Sequence, residues 1–322
     1  MRPRPDAPAG LALALAMAAA ALPAAADTGF VTCQNGDALS VLDLATGEER
    51  ARWSVPGKPA GVAVDPDGAV FVVSPDSKQV RRYSTAGEVL AETQLDGGPI
   101  GVASDPARGR IFVSDWYNAR LWVLSSETLE TLAALPADAA PAGLAVSPDG
   151  AWLAAAERDA DAVRIYDTET LALARVVGVG TRPFGLGFAP DGRLFVGNVG
   201  SNDVTVIDAP SGEVLATLPV GERPYGVGFA AGRAFVTNQY ASTVTVLDLG
   251  DLTALATIDV GEYPEGIAAT GDGHVAVANW FDNSLSLIDA HTLEVTATYE
   301  TCDGPRAFGA FILPGNPPGV LP

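Results

Sequence analysis

The sequence is poor in the residues that most enzyme chemistry needs. Its 322 residues include two histidines, His274 and His291, and two cysteines, Cys33 and Cys302. Both histidines fall in turns on the same side of a repeat, away from the upper mouth, which weakens every Ser-His-Asp or Cys-His reading. The absence of Cys-x-x-Cys-His excludes covalently attached haem. Lysine occurs only at Lys58 and Lys78, followed by Pro59 and Gln79, which leaves no phosphate-cradling Gly-Lys-Ser/Thr loop. Positive charge is scarce throughout: 19 Lys and Arg stand against 39 Asp and Glu, a net charge of −20. Such a chain is repelled by nucleic acid and by anionic lipid. Sustained apolar spacing of three and four is missing too, so helices are not expected in the plan.

What is present begins with an export signature. Arg2 and Arg4 precede an apolar run over residues 11–22, Pro23 ends it, and Ala24-Ala25-Ala26 forms a small-x-small cleavage site before Asp27. The run is too short to anchor in a bilayer. Residues 1–26 are therefore expected to be a cleaved Sec-type signal peptide, and residues 27–322 a single mature domain without a membrane span, periplasmic or secreted.

The strongest signal is repetition. Pro-x-Gly followed by a short apolar strand recurs at Pro59, Pro99, Pro141, Pro183, Pro224 and Pro264, with a degenerate copy at Pro305-Arg306-Ala307. The spacings are 40, 42, 42, 41, 40 and 41 residues. Each copy reads as four strands: a small-residue strand such as Gly61-Val-Ala-Val64, a tight turn such as Asp67-Gly68, a β-branched and aromatic strand such as Val70-Phe-Val-Val73, then two more. Four strands repeated seven times predict an all-β, seven-bladed β-propeller. Small residues suit the first strand because seven of them crowd one axis. One strand at 308–313 is left at the end, and three at the start, around Phe30-Val-Thr-Cys33, Leu39-Ser-Val-Leu42 and Arg50–Val55. The last blade is thus expected to close by one C-terminal and three N-terminal strands, hiding the open edge. Cys33 and Cys302 meet at that joint, and in an exported chain they are expected to form a disulfide.

Phe235-Val-Thr-Asn238 with Ser242-Thr-Val-Thr-Val-Leu-Asp248 resembles the YVTN β-propeller repeat, as do Phe195-Val-Gly-Asn198 with Asn202-Asp-Val-Thr-Val-Ile-Asp208, and Val277-Ala-Asn279 with Asn283-Ser-Leu-Ser-Leu-Ile-Asp289. The resemblance covers almost all of the mature chain. It implies extracytoplasmic binding or scaffolding first, and an association with quinoprotein or redox systems second. It does not specify an activity, because a fold hosts many.

Repeat-equivalent positions supply the candidate residues. The aspartates closing the third strands, Asp43, Asp167, Asp208, Asp248 and Asp289, are read as turn caps. The ends of the second strands hold Cys33, Ser74, Asp115, Ala156, Asn198, Asn238 and Asn279, and are expected to ring the upper mouth of a central channel. Asp115, Asn198, Asn238 and Asn279 are the alternative's metal set, for a lactonase-like hydrolase holding a divalent cation, with Glu157 and Glu265 nearby. The upper loops are aromatic and carry arginines: Trp116, Tyr117, Arg182, Phe184, Arg223, Tyr225, Tyr240, Trp280 and Arg306. These are the candidate residues for binding a partner protein or a small anion. The leading expectation is a non-catalytic monomer with no cofactor, whose negative charge favours a basic partner such as a cationic cytochrome or a dehydrogenase. A third reading is a subunit of an amine or quinoprotein dehydrogenase.

Overall fold

The computed structural model describes residues 26–315; the expected signal peptide lies outside them, except for Ala26. No helix among these residues is long and apolar enough to cross a membrane. Two single-turn 3₁₀ segments, Pro106–Arg108 and Arg158–Ala160, are the helical pieces described.

Seven sheets follow one another around an axis, six of four strands and one of five, antiparallel except for one added parallel strand. In the first blade Gly61–Val64 is followed outward by Val70–Ser74, Gln79–Tyr83 and Val89–Gln94. The five other uninterrupted blades begin at Pro99, Pro141, Pro183, Pro224 and Pro264. Each of these five inner strands skips a residue in its pairing just after the proline, as between Pro99 and Val102 or Pro224 and Val227. The Pro-x-Gly motif is therefore a bulge, one extra residue that re-aims the chain. It sends residue x toward the axis and turns the glycine toward the next blade. A Cβ on Gly61 would lie 2.6 Å from the Ile100 carbonyl oxygen, and one on Gly226 would lie 2.5 Å from that of Glu265. The motif thus repeats because each blade's backbone rests against the glycine of the previous one.

Second and third strands supply the core between blades. Phe71, Phe112, Phe195 and Phe235 are fully buried at matching positions, with Val and Ile around them. Three blades add a polar clip. Ser114 Oγ accepts from the Gly101 N–H and donates to the Ala142 carbonyl of the next blade at 2.7 Å. Thr237 does the same between Gly226 and Glu265, and Thr32 between Ala307 and Ala60.

The ring closes as the strand count requires, with one refinement. The last blade combines Thr28–Cys33, Ala38–Asp43 and Glu49–Ser54 with a C-terminal inner strand. That inner strand is broken in two. Ile312–Leu313 pairs antiparallel with Thr28–Gly29, whereas Phe308–Ala310 leans across and pairs parallel with Gly61–Ala63 of the neighbouring blade. Gly309, at φ 127°, allows the break. Cys33 and Cys302 are bonded there, their Cα atoms 5.6 Å apart across a sequence separation of 269 residues.

Candidate functional site

The upper end of the axis is built from residue x of the repeated motif: Ala60, Ile100, Ala142, Phe184, Tyr225, Glu265 and Arg306. They close the channel rather than line an open mouth. Phe184 lies 4.4 Å from the Tyr225 ring and 5.2 Å from the Phe308 ring, and Phe308 reaches far enough across the axis to touch the space beside Gly143. Ala142, Phe184, Tyr225 and Phe308 form a buried apolar plug, with Trp116 packed against it.

Beside the plug sits a buried ion pair. Arg306 Nε is 3.0 Å from Glu265 Oε2, and Arg306 also donates to the Tyr225 hydroxyl. Gln239 Nε2 donates to Glu265 Oε1 at 2.7 Å. Burial pushes the Glu265 carboxyl up, against the pull of Arg306 and Gln239. Burial alone would lower the Arg306 guanidinium, but the adjacent carboxylate overcomes it and holds Arg306 charged. Arg306 is thus committed inside the fold. The other two arginines do not join it: Arg223 stacks over Tyr240 at 4.0 Å, while Arg182 stands exposed on its own connector. The structure does not gather the three arginines into an anion pocket.

The second-strand ends also differ in role from the ring of channel ligands expected. Pro141 pairs with Glu157, as Pro99 does with Asp115 and Pro183 with Asn198. The residue equivalent in the third blade is therefore Glu157, not Ala156. These side chains turn back into their own blades to support the incoming connector. Asp115 accepts from the backbone N–H groups of Gly98, Tyr117 and Asn118 and from Arg120. Asn198 donates to Asp203 and Thr205, Asn238 to Thr243 and Thr245, and Asn279 to Ser284 and Ser286. Gly221 and Gly261 pass directly over Asn238 and Asn279, where a Cβ would collide with the amide. The four alternative metal ligands therefore lie in four separate blades, each bonded locally. Among the described residues no group of three His, Cys, Asp or Glu is placed to hold a metal ion.

Glu157 is fully buried, accepting from the Asp138 N–H at 2.7 Å with Arg164 3.8 Å away. Desolvation pushes its carboxyl up to about 7 despite both partners. A carboxyl that titrates higher folded than unfolded binds its proton more tightly in the native state. Stability is therefore greatest below the ordinary value of 4.5 and falls as pH rises through about 7. The expected contribution is a loss of roughly 3 kcal/mol over that window. Urea midpoints across pH 4–8 should show Glu157→Gln flattening that decline; an unchanged slope would rule Glu157 out as its source.

What remains open on the upper face is an aromatic patch over the fifth and sixth blades. Tyr263 lies 5.1 Å from Tyr240 and 4.4 Å from Phe281, and Phe281 packs edge-on to Trp280 at 4.6 Å. Tyr240 is 43% exposed and Phe281 54%, far more than a core would leave. The Trp280 Nε1 donor is buried beneath the patch without a protein partner. Arg223 frames one side, and Glu222, Glu262 and Asp282 stand exposed at the edges. Of the sequence candidates, Tyr240, Trp280 and Arg223 fall in this patch, and Phe184, Tyr225 and Arg306 in the plug. Trp116 packs against the plug under Arg158, with Tyr117 exposed beside it. Tyr263 and Phe281 lie in loops of the sequence, but the contact of Tyr263 with Tyr240 joins two blades and has no signature along the chain.

No family model matches the chain, and no curated protein matches it in sequence. Solved structures do match. A functionally unknown protein from Desulfotomaculum acetoxidans DSM 771 superposes with a TM-score of 0.75 over 88% of this chain and 97% of its own, at 17% identity. Kuenenia stuttgartiensis hydrazine synthase gives 0.72 over 86% and 99%, at 18% identity. The chain is a seven-bladed β-propeller. Dihydro-heme d1 dehydrogenase, solved in complex with DHE, gives 0.67 over 87% of this propeller at 19% identity, and this chain spans 64% of that chain's length. At such identities the propeller shares a fold with these proteins, and the likeness carries no residue roles.

Proposed function

We propose that this propeller is a non-catalytic, extracytoplasmic docking module that binds a basic partner protein on its upper face through Tyr240, Tyr263, Trp280, Phe281 and Arg223. The carrying observation is the patch itself. Tryptophan, tyrosine and arginine dominate the energy of protein interfaces, particularly when clustered and ringed by polar groups. Here the rim is acidic, and the net charge of −20 extends that field over the whole molecule. A cationic surface is thus steered in and a basic rim matched, with strong salt dependence. The buried Cys33–Cys302 disulfide and the export signature support an oxidising compartment. Fold neighbours that are a hydrazine synthase and a dihydro-heme d1 dehydrogenase make a redox system a reasonable setting, with a basic cytochrome or dehydrogenase as the partner.

Photo-crosslinking from position 281 in the native extracytoplasmic fraction tests the reading, with products identified by mass spectrometry. A basic protein should be captured at low ionic strength, and capture should fall at least tenfold on Trp280→Ala with Tyr263→Ala, since two such anchors are worth about 2 kcal/mol each. Capture that is unchanged by those substitutions, or that is insensitive to salt, would sink the proposal.

A further inference from the structure

The plug closes only one end of the axis. Beneath it lies a cavity of about 380 Å³, running from the level of Gly143 and Gly226 down to Pro66 and Pro106. Both prolines are exposed lower-face turn residues, so the cavity opens at the face opposite the aromatic patch. Small residues keep this space hollow. Two positions after each motif glycine stands an alanine or a glycine, at Ala63, Ala103, Ala145, Gly187, Gly228 and Ala268, and all six line the cavity. Larger side chains alternate with them. Leu186, Phe188, Val227 and Phe229 line the space and are only half-buried, although they sit on innermost strands.

The lining offers no charge to an occupant. No Lys, Arg, His or Glu belongs to it. Its one ionisable residue, Asp65, is 5% exposed, with Oδ1 enclosed by protein. That carboxyl turns to the Ser104 hydroxyl of the next blade, with the Arg82 charge nearby. Apart from these two side chains, Asp65 and Ser104, every polar atom of the lining is a backbone N–H or C=O. A charged molecule of either sign would leave its hydration shell here without finding a counter-charge. An uncharged apolar one would cover side chains that the fold itself leaves bare.

We infer that the lower channel is a binding site for one small, uncharged, largely apolar molecule with an aromatic body. Its volume falls in the range of pockets for small organic molecules, and is more than twice the roughly 150 Å³ of a dry apolar cavity that holds benzene. Phe188 and Phe229 supply aromatic wall, and Phe308 of the plug supplies the roof. The backbone groups between them can bond a hydroxyl or an amide, which carries no charge to desolvate. One side of the cavity is Phe308–Ala310, the C-terminal strand that pairs across the ring closure with Gly61–Ala63. An occupant therefore leans on the seam, and its binding stabilises the closed ring. The site lies below the plug and does not depend on the docking face above it.

Three probes of one shape isolate the effect of charge: naphthalenemethanol, naphthalenemethylamine and naphthoate. Isothermal titration of the disulfide-bonded protein at neutral pH should show the alcohol binding one equivalent saturably, and the ammonium and the carboxylate at least tenfold more weakly. The alcohol should also raise the thermal unfolding midpoint, because it braces the seam. Ala145→Phe and Ala268→Phe, on blades at opposite sides of the ring, each place an aromatic ring in the space. Either should weaken the alcohol at least tenfold and remove the thermal shift, with circular dichroism confirming that the variant is folded. Absence of saturable binding, equal affinity for the three probes, or an affinity that survives both substitutions, as binding on the upper aromatic patch would, overturns the inference.

Discussion

Replacing Cys302 with serine is expected to lower the unfolding free energy by several kcal/mol, the largest single effect in the molecule. The reason is topological. The bond joins residues 269 apart, so in the unfolded chain it closes almost the whole mature sequence into one loop. In the chain-entropy treatment that constraint is worth up to ~5 kcal/mol, less any relief in the reduced state. The remaining native contacts at the joint are backbone bonds and packing. Ile312–Leu313 pairs with two residues of the N-terminal strand, and N–H groups of Phe30, Gln34 and Gly36 bond Phe311, Gly304 and Asp303, while those of Arg306 and Ala307 bond Thr32. Loss of the covalent tie leaves the ring held at its seam by those bonds and by burial of Phe30, Phe311 and Ile312. Guanidinium unfolding of the oxidised protein, the reduced protein and Cys302→Ser should give one high midpoint and two low ones. Three coincident midpoints would show that the seam does not depend on the bond.

Glu265→Ala is expected to cost about 3–5 kcal/mol, since it strands the Arg306 guanidinium in a site where it is mostly out of water. Arg306 keeps the Tyr225 hydroxyl as an acceptor, but no charge to balance it. The Gln239 amide loses its acceptor as well. Replacing both partners by Glu265→Leu with Arg306→Met should recover most of that loss, because a well-packed apolar pair avoids desolvating two charges. A double-mutant cycle in urea reads the coupling directly. A cost below about 1 kcal/mol for the single change would mean that solvent reaches the pair freely, as it does for surface ion pairs. The plug would then be permeable to water beside Arg306.

Much of the architecture was legible because it is written in repeated local chemistry. Turn caps recur as expected: Asp43 accepts from Ala45 and Thr46, Asp167 from Thr170, Asp208 from Ser211 and Asp289 from His291 and Thr292. Turn glycines Gly68, Gly150 and Gly192 adopt positive φ where an Asp-Gly step called for it. The disulfide followed from strand counting together with the export signature. The site was harder to read, for two reasons. The small-residue run Ala154-Ala155-Ala156 suggests Ala156 as the strand end, whereas the register with Pro141 gives that place to Glu157. And Phe184, Tyr225 and Arg306 looked like exposed mouth residues, since loop position says nothing about whether seven side chains converge closely enough to bury one another.

Blade number, seam and cross-link could be read along the chain, because spacing, turn residues and cysteine position are local or countable properties. That Phe184, Tyr225 and Phe308 pack into one plug, and that Arg306 is buried against Glu265, emerges from the folded ring alone. Those outcomes depend on how far apart side chains from different blades end up once the bulged inner strands are tilted around a shared centre. Distances of that kind are set by ring closure, and no stretch of chain encodes them alone.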